Sequence, residues 1–163
     1  MIKIAFIGAG SLQFTSKCVR DMLTFPAFKK CEFVLMDINR ENLENITKVV
    51  RKIVDAMDCT DCVVTATTDR VEALKNADGV LCTVFNGDVD VWRHEIEIPK
   101  KYGVDINVGD TRSVSGIFRA LRNIPLMLDI CRDIEKYCPR AVFLNYTNPM
   151  AMLSGYMQRY TGI

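Results

Sequence analysis

The run Ile2 to Ile7, IKIAFI, is almost continuously apolar and stops at Gly8-Ala9-Gly10-Ser11. Helical spacing begins just beyond it, at Phe14, Cys18, Val19, Met22 and Leu23. A run of that length without polar alternation is the mark of a strand buried on both faces. Strands of that kind pair in parallel, and parallel neighbours can be joined only through a long crossover, usually a helix. The opening therefore constrains everything after it, because strands and helices must alternate.

The rest of the chain keeps to this rule. Pro26 marks the exit from the first helix, and Cys31 to Ile38 reads as a second strand carrying an acid near its far end. Arg40 to Met57 places Leu43, Ile46, Val49, Val50, Ile53 and Val54 on one face of a long helix. Cys62 to Thr67, rich in β-branched residues, reads as a third strand, followed by a short helix around Val71 to Lys75 and a fourth strand from Gly79 to Phe85. Asn86-Gly87-Asp88 breaks the pattern where ligands bind in open α/β sheets, and a charged helix runs from about Val91 to Tyr102. Ile117 to Tyr137 returns to helical periodicity, with Pro125 expected to kink it or start a new segment. Ala141 to Asn145 reads as a fifth strand and Ala151 to Tyr160 as an apolar-faced helix. The fold class that follows is α/β, a Rossmann-like doubly wound parallel sheet with right-handed crossovers, spanning 1–163 as one domain.

Composition narrows the partners. Hydrophobic residues make up 49% and charged residues 25%, ordinary globular values, and 21 basic against 20 acidic residues leave a net charge of +1. That balance offers no electrostatic reason for a nucleic acid or membrane partner. The apolar stretches fall short of the roughly 18 residues of a membrane span, and the start lacks the layout of a signal peptide, so a cytoplasmic location is expected. Seven scattered cysteines fit reduced thiols better than a disulfide framework. Cys59-Thr60-Asp61-Cys62 has metal or redox spacing, but there is no second pair and no histidine nearby, and chance spacing at a strand entrance outweighs a site.

Gly8, Gly10 and Ser11 lie between a strand and a helix, the context in which glycines let the backbone approach a pyrophosphate and helix amides bind it. Gln13 stands at the third-glycine position, where its side chain is expected to loosen helix-to-strand packing without blocking the phosphate site. Asp37 is placed to accept hydrogen bonds from the adenosine ribose, and its charge disfavours a 2′-phosphate, favouring NAD over NADP. The plainer alternative is an α/β fold whose tight turn uses glycine and whose strand ends in a solvated acid. Asn148, before Pro149, is pushed toward extended geometry and presents its amide beyond the fifth strand, although it is equally an ordinary turn initiator. His94, the one histidine, falls on a charged helix and reads as solvated.

Taken in order, GAGS after the first strand, MDI at the second, then IPKKYGVDINVGDT, FRALRNIP and LNYTNPMAM make the chain resemble the amino-terminal half of glycoside hydrolase family 4. Within that family the likeness is to α-galactosidases of the melibiase type, and it covers essentially the whole chain. The resemblance implies a carbohydrate-metabolising hydrolase in which NAD is a resident redox group. In that family NAD takes hydride from sugar C3 and the ketone acidifies the C2 proton. A base removes that proton, the aglycone leaves C1, water adds and NADH returns the hydride. A divalent metal, typically manganese, polarises the C2 and C3 oxygens.

Residue by residue, the resemblance assigns Gly8, Gly10 and Ser11 to the phosphate loop and Asp37 to the ribose. Asn86 follows the fourth strand, where the family contacts cofactor and sugar, and Asn148 matches the asparagine that reaches substrate hydroxyls. Asp110 matches an acidic position on the nicotinamide side and is a candidate catalytic carboxylate. Trp92 stands where the family's phospho-glycosidases carry an arginine for the sugar 6-phosphate. An indole cannot pair with phosphate, which favours an unphosphorylated α-hexoside, with Arg93 next door as the residue that would shift the alignment.

Two departures accompany the likeness. The family follows its Asp-Thr with a Gly-x-Gly-Gly turn, whereas Asp110-Thr111 here leads into Arg112-Ser113-Val114-Ser115-Gly116. The family's metal-binding Cys and His and its catalytic Tyr lie beyond the Asn-Pro segment, so no metal ligand is assigned in this chain and a carboxy-terminal catalytic part is expected to be absent. The chain by itself is then expected to be inactive and to self-associate as a homo-oligomer through its uncovered apolar surface. Two rivals stay open. One is an NAD-dependent 2-hydroxy-acid dehydrogenase of the lactate or malate type, which would need a late acid/base histidine. The other is a non-catalytic NAD-binding or oligomerising module.

Overall fold

In the computed structural model, which describes residues 1–106 and 111–163, strands and helices alternate as expected. β1 (Ile2–Ile7) pairs in parallel with β2 (Cys31–Met36) on one side and with β4 (Gly79–Cys82) on the other, and β2 pairs in parallel with β3 (Val63–Thr67). With β5 (Val142–Asn145) beyond β4, the order is β3-β2-β1-β4-β5. The chain moves outward from β1 to β3 and then returns to the other side of β1. Strand order thus reverses at the β1/β4 pair, and in doubly wound sheets ligands bind beyond the strand ends at such a reversal. The Rossmann-like class expected from the sequence is the one observed.

The chain divides into two compact units. The first comprises Met1–Val84 and Lys136–Leu144, and the second Phe85–Glu135 and Asn145–Ile163. In the first unit α1 (Leu12–Leu23), α2 (Arg40–Ala56) and the short α3 (Arg70–Leu74) connect the strands. Asn39 caps α2 by accepting the Asn42 amide at 3.0 Å, and Asp69 caps α3 by accepting the Val71 amide at 2.8 Å. Replacing Asn39 with Ala is expected to lower stability by about 1 kcal/mol and replacing it with Gly by only a few tenths, measured by urea unfolding. α2 buries Leu43, Ile46, Val50 and Val54, one stripe of its surface, against a core built on Phe6, Phe33, Leu35 and Leu81. Phe6 and Phe33 meet edge to face with ring centroids 6.1 Å apart. Full burial of each such side chain contributes about 1.5–3 kcal/mol.

The second unit contains α4 (Val89–Lys100), nearly all of α5 (Val114–Tyr137) and α6 (Met150–Tyr160). α5 does not start a new segment at Pro125 but continues as helix through it. Proline removes the amide that would bond the Leu121 carbonyl. Both Pro125 and Leu121 are on the exposed side of the helix, so water can serve that carbonyl instead. β4 also differs, ending at Cys82 rather than Phe85. Its partner β1 stops at Ile7, and the ladder on that side ends after one more bond, from the Thr83 amide to the Ile7 carbonyl at 2.8 Å. Among the described residues no helix is long and apolar enough to cross a membrane.

Candidate functional site

In the first unit β1 ends at Gly8, whose φ of +83° lies in the left-handed region open to glycine. The Gly8 and Ala9 amides both donate to the Met36 carbonyl, at 3.0 and 2.9 Å, which fastens the turn to the end of β2. The Thr83 hydroxyl donates to the Gly8 carbonyl at 2.8 Å and fastens it to β4. The buried Thr15 hydroxyl donates to the Ala9 carbonyl at 2.8 Å from inside α1. The turn is thus held from three elements, and its shape does not depend on a ligand.

Asp37 is the link to the next element. Its Oδ2 accepts the Gly10 amide at 2.7 Å and its Oδ1 accepts the Asn39 amide at 2.9 Å. A carboxylate has about four lone-pair sites, so each oxygen keeps capacity for a further donor. A Cβ built on Gly10 would fall 2.7 Å from Asp37 Oδ2 and 2.9 Å from Asn42 Cβ. Glycine is therefore required there by the approach of the acid. Ser11 is the N-cap of α1 but makes no capping hydrogen bond, unlike Asn39 and Asp69, so the first-turn amides of α1 have no side-chain acceptor from it. Uncapped amides and the helix dipole at the carboxyl end of β1 suit an anion such as a phosphate.

Gln13 does not act as expected. It is exposed, and the residues that α1 buries are Thr15, Val19 and Leu23, so the side chain at the third-glycine position stays out of the packing beneath the helix. Two further residues of this region escaped the sequence reading. Thr83 is the one hydroxyl in an apolar strand sequence, a signal that could have been followed. Ile38, 87% exposed directly after Asp37, offers an apolar surface beside the acid.

The second unit holds Asn86, Trp92 and Asn148. Gly87 takes φ +105°, and Asn86 is held on both sides by Arg122. The Asn86 Nδ2 donates to the Arg122 carbonyl at 3.0 Å, and the Arg122 Nε donates to the Asn86 carbonyl at 2.7 Å. The Arg122 guanidinium also forms an ion pair with Glu95, which is only 6% exposed. Trp92 is half-buried, and the Arg119 guanidinium lies 5.8 Å from its ring centroid and 5.2 Å from that of Phe85. The Asn148 carbonyl accepts Asn123 Nδ2 at 3.2 Å, and its Oδ1 accepts the Met150 amide at 3.3 Å, across a cis Asn148–Pro149 peptide. Among the described residues, buried Trp92 Nε1, Glu95 Oε2, Arg122 Nη2 and Asn123 Oδ1 meet no hydrogen-bond partner. Buried polar atoms in that state are costly unless water or a ligand completes them.

Arg93 is exposed and paired with Glu97 at 2.7 Å, which holds the Glu97 carboxyl below its ordinary range, and His94 is exposed as expected. Asp110 lies outside the described residues. All seven cysteines are free thiols. Among the described residues no group of three or more His, Cys, Asp or Glu side chains could hold a metal ion. The described residues therefore do not fit a divalent metal.

A rigid glycine turn at the point where strand order reverses, tied to a strand-end acid, defines a Rossmann-like α/β protein of the dinucleotide-binding type. The chain belongs to the family described as Family 4 glycosyl hydrolase, which it matches over residues 3–163. It is 46% identical over 151 residues to an alpha-galactosidase of Rhizobium meliloti, covering 92% of this chain and 31% of that one. It is 41% identical over 164 residues to an alpha-galactosidase of Bacillus subtilis, covering 100% of this chain and 38% of that one. Among solved structures it resembles the 6-phospho-beta glucosidase from Thermotoga maritima, solved with manganese, NAD+ and glucose-6-phosphate. There the TM-score is 0.85 at 25% identity, over 98% of this chain and 38% of that one. The chain spans about a third of the length of the curated relatives it matches.

Proposed function

We propose that this chain is the NAD-binding half of a family 4 glycosidase acting on unphosphorylated α-hexosides, α-galactosides first. The observation that carries the proposal is the Asp37 carboxylate holding the Gly10 amide at 2.7 Å, in a turn that a Cβ at Gly8 or Gly10 would fill. The first-turn amides of α1 bind the pyrophosphate, and Asp37 uses its remaining lone pairs to accept the adenosine ribose hydroxyls. The same charge repels a 2′-phosphate. Ile38 gives the adenine an apolar surface. NAD supplies reversible hydride acceptance, the redox chemistry on which this kind of glycoside cleavage depends.

The sugar preference is supported by the alpha-galactosidases to which the chain is similar and by Arg93, whose guanidinium is engaged by Glu97. The polar atoms of Trp92, Glu95, Arg122 and Asn123 that meet no partner among the described residues suit a ligand dense in hydroxyls, with Asn86 and Asn148 as further contacts and Asp110 as the candidate carboxylate. A second reading, a hexuronide, is favoured by one feature: the Arg119 guanidinium beside Trp92 suits a sugar carboxylate. The whole protein is taken to use manganese through residues outside this chain, to work in the cytoplasm and to form a homo-oligomer.

The test is a calorimetric titration of the chain with NAD and NADP, before and after Asp37→Ala. NAD is expected to bind, NADP more weakly, and Asp37→Ala to weaken NAD at least tenfold, a loss of about 1.4 kcal/mol or more. Because the substitution also strips an acceptor from the Gly10 and Asn39 amides, melting is recorded in parallel. Equal affinity of the folded Asp37→Ala variant for NAD would remove Asp37 from the site. For the sugar, the full-length enzyme is assayed on an α-galactoside, its 6-phosphate and an α-galacturonide.

A further inference from the structure

At the amino-terminal ends of β2 and β3, away from the glycine turn, the Sγ atoms of Cys31 and Cys62 lie 3.8 Å apart. The register explains the approach. Glu32 pairs with Val63 in the parallel β2/β3 ladder, so Cys31 and Cys62 are the pair one step earlier and present their side chains on one face. Parallel neighbours are about 4.8 Å apart, inside the roughly 4.4–6.8 Å of Cα separation that a disulfide spans. Side-chain rotation is then enough to bond the two sulfurs. At the Cys59-x-x-Cys62 spacing, the Cys59 thiol is turned to the Met57 carbonyl at 3.2 Å.

We propose that Cys31 and Cys62 form a redox-active dithiol, oxidised to a disulfide by exchange with a low-molecular-weight disulfide. The two thiols have distinct surroundings. Cys62 is half-buried and reachable, with its sulfur 3.4 and 3.3 Å from the Phe28 and Lys29 carbonyls. Cys31 is fully buried, and burial together with Cys62 pushes its pKa up to about 12. Cys62 therefore attacks first and Cys31 resolves.

In the first step Cys62 gives its proton to solvent and its thiolate attacks one sulfur of the oxidant. The oxidant's S–S bond breaks, its second sulfur leaves as a thiolate that takes up a proton, and Cys62 is left in a mixed disulfide. In the second step Cys31 attacks the Cys62 sulfur, and its proton passes to the departing thiol. Two protein thiols are oxidised and one external disulfide is reduced to two thiols. The new bond closes a loop from Glu32 to Asp61 that carries β2, Asp37 and α2, while the hydrogen bonds of the glycine turn lie at the other end of β2. A crosslink there restricts the unfolded chain, so oxidation raises the melting temperature and leaves NAD affinity unchanged.

The experiment treats the full chain with oxidised glutathione, quenches with acid, alkylates remaining thiols and maps unreduced peptides. The expected result is loss of two hydrogens, one crosslinked peptide joining Cys31 to Cys62, a higher melting temperature and reversal by dithiothreitol. Cys59→Ser should crosslink as before, and Cys31→Ser should stop at a glutathione adduct on Cys62. A Cys59 to Cys62 link, a lasting glutathione adduct in the unmodified chain, or no oxidation overturns the proposal. The map of the unmodified chain decides the matter even if Cys31→Ser fails to fold.

Discussion

Arg122→Met is expected to destabilise the protein by about 3–5 kcal/mol, whereas Arg122→Met combined with Glu95→Leu recovers most of that loss. The asymmetry comes from burial. Glu95 is 6% exposed and the Arg122 side chain 22% exposed, so the carboxylate has little water to replace its partner. Glu95 Oε2 already meets no hydrogen-bond partner among the described residues, and removing the guanidinium would leave the whole charge uncompensated. Taking out both charged groups instead replaces an ion pair by apolar volume, a change that is often close to neutral. The check is urea unfolding of the parent, the two single variants and the double variant, read as a cycle. A loss below about 1 kcal/mol for Arg122→Met would mean that water reaches the pair and that it contributes no more than a surface ion pair. The effect extends to Asn86, since the Arg122 Nε bond to the Asn86 carbonyl goes with the guanidinium. In the full-length enzyme the variant that has lost this bond should bind sugar or cofactor more weakly, while the Asn86 Nδ2 bond to the Arg122 backbone persists.

The sheet was legible because strands buried on both faces leave short apolar runs bounded by turn residues, and Ile2–Ile7 and Cys31–Met36 are such runs. Where a strand ends was less legible. Gly79 to Phe85 stays apolar after pairing stops, since pairing depends on how far β1 extends and not on the composition of β4. Local chemistry at Pro125 favours a kink or a new segment, and the helix continues because the exposed position lets water take the unpaired carbonyl. Within the candidate site, Gly8, Gly10 and Asp37 could be picked out by type and spacing, while the bond from the Gly10 amide to Asp37 spans 27 residues and no pattern announces it. The same distance in sequence hides Arg122 and Glu95, also 27 residues apart. A separation of 31 residues likewise hides the approach of Cys31 to Cys62. Local signals carry element type and special backbone positions; contacts made by crossover topology do not appear in them.

Gly8 and Gly103 allow the strain of a positive φ to be separated from the crowding of a close approach. Their φ values are nearly equal, +83° and +79°. A side chain in that region costs about 1–2 kcal/mol at either position. Their surroundings differ. A Cβ on Gly8 would lie 2.8 Å from the Thr83 carbonyl oxygen and 2.9 Å from its carbon, both backbone atoms of the adjoining strand end, while a Cβ on Gly103 would meet nothing within 4 Å among the described residues. Backbone cannot swing aside as a flexible side chain can, so β1 and the end of β4 must separate, weakening the Thr83 hydroxyl bond to the Gly8 carbonyl. Overpacking of that kind adds about 1–3 kcal/mol. Gly103→Ala should therefore lower stability by about 1–2 kcal/mol and leave NAD affinity unchanged, and Gly8→Ala by about 2–5 kcal/mol with NAD binding lost. Urea unfolding and NAD calorimetry on the two variants make the comparison. Equal losses of stability would assign all of the effect to backbone strain and none to the contact with Thr83. A Gly8→Ala variant that stays folded and still binds NAD at parent affinity would mean that the turn tolerates a side chain, and the requirement for glycine at the end of β1 would have to be abandoned.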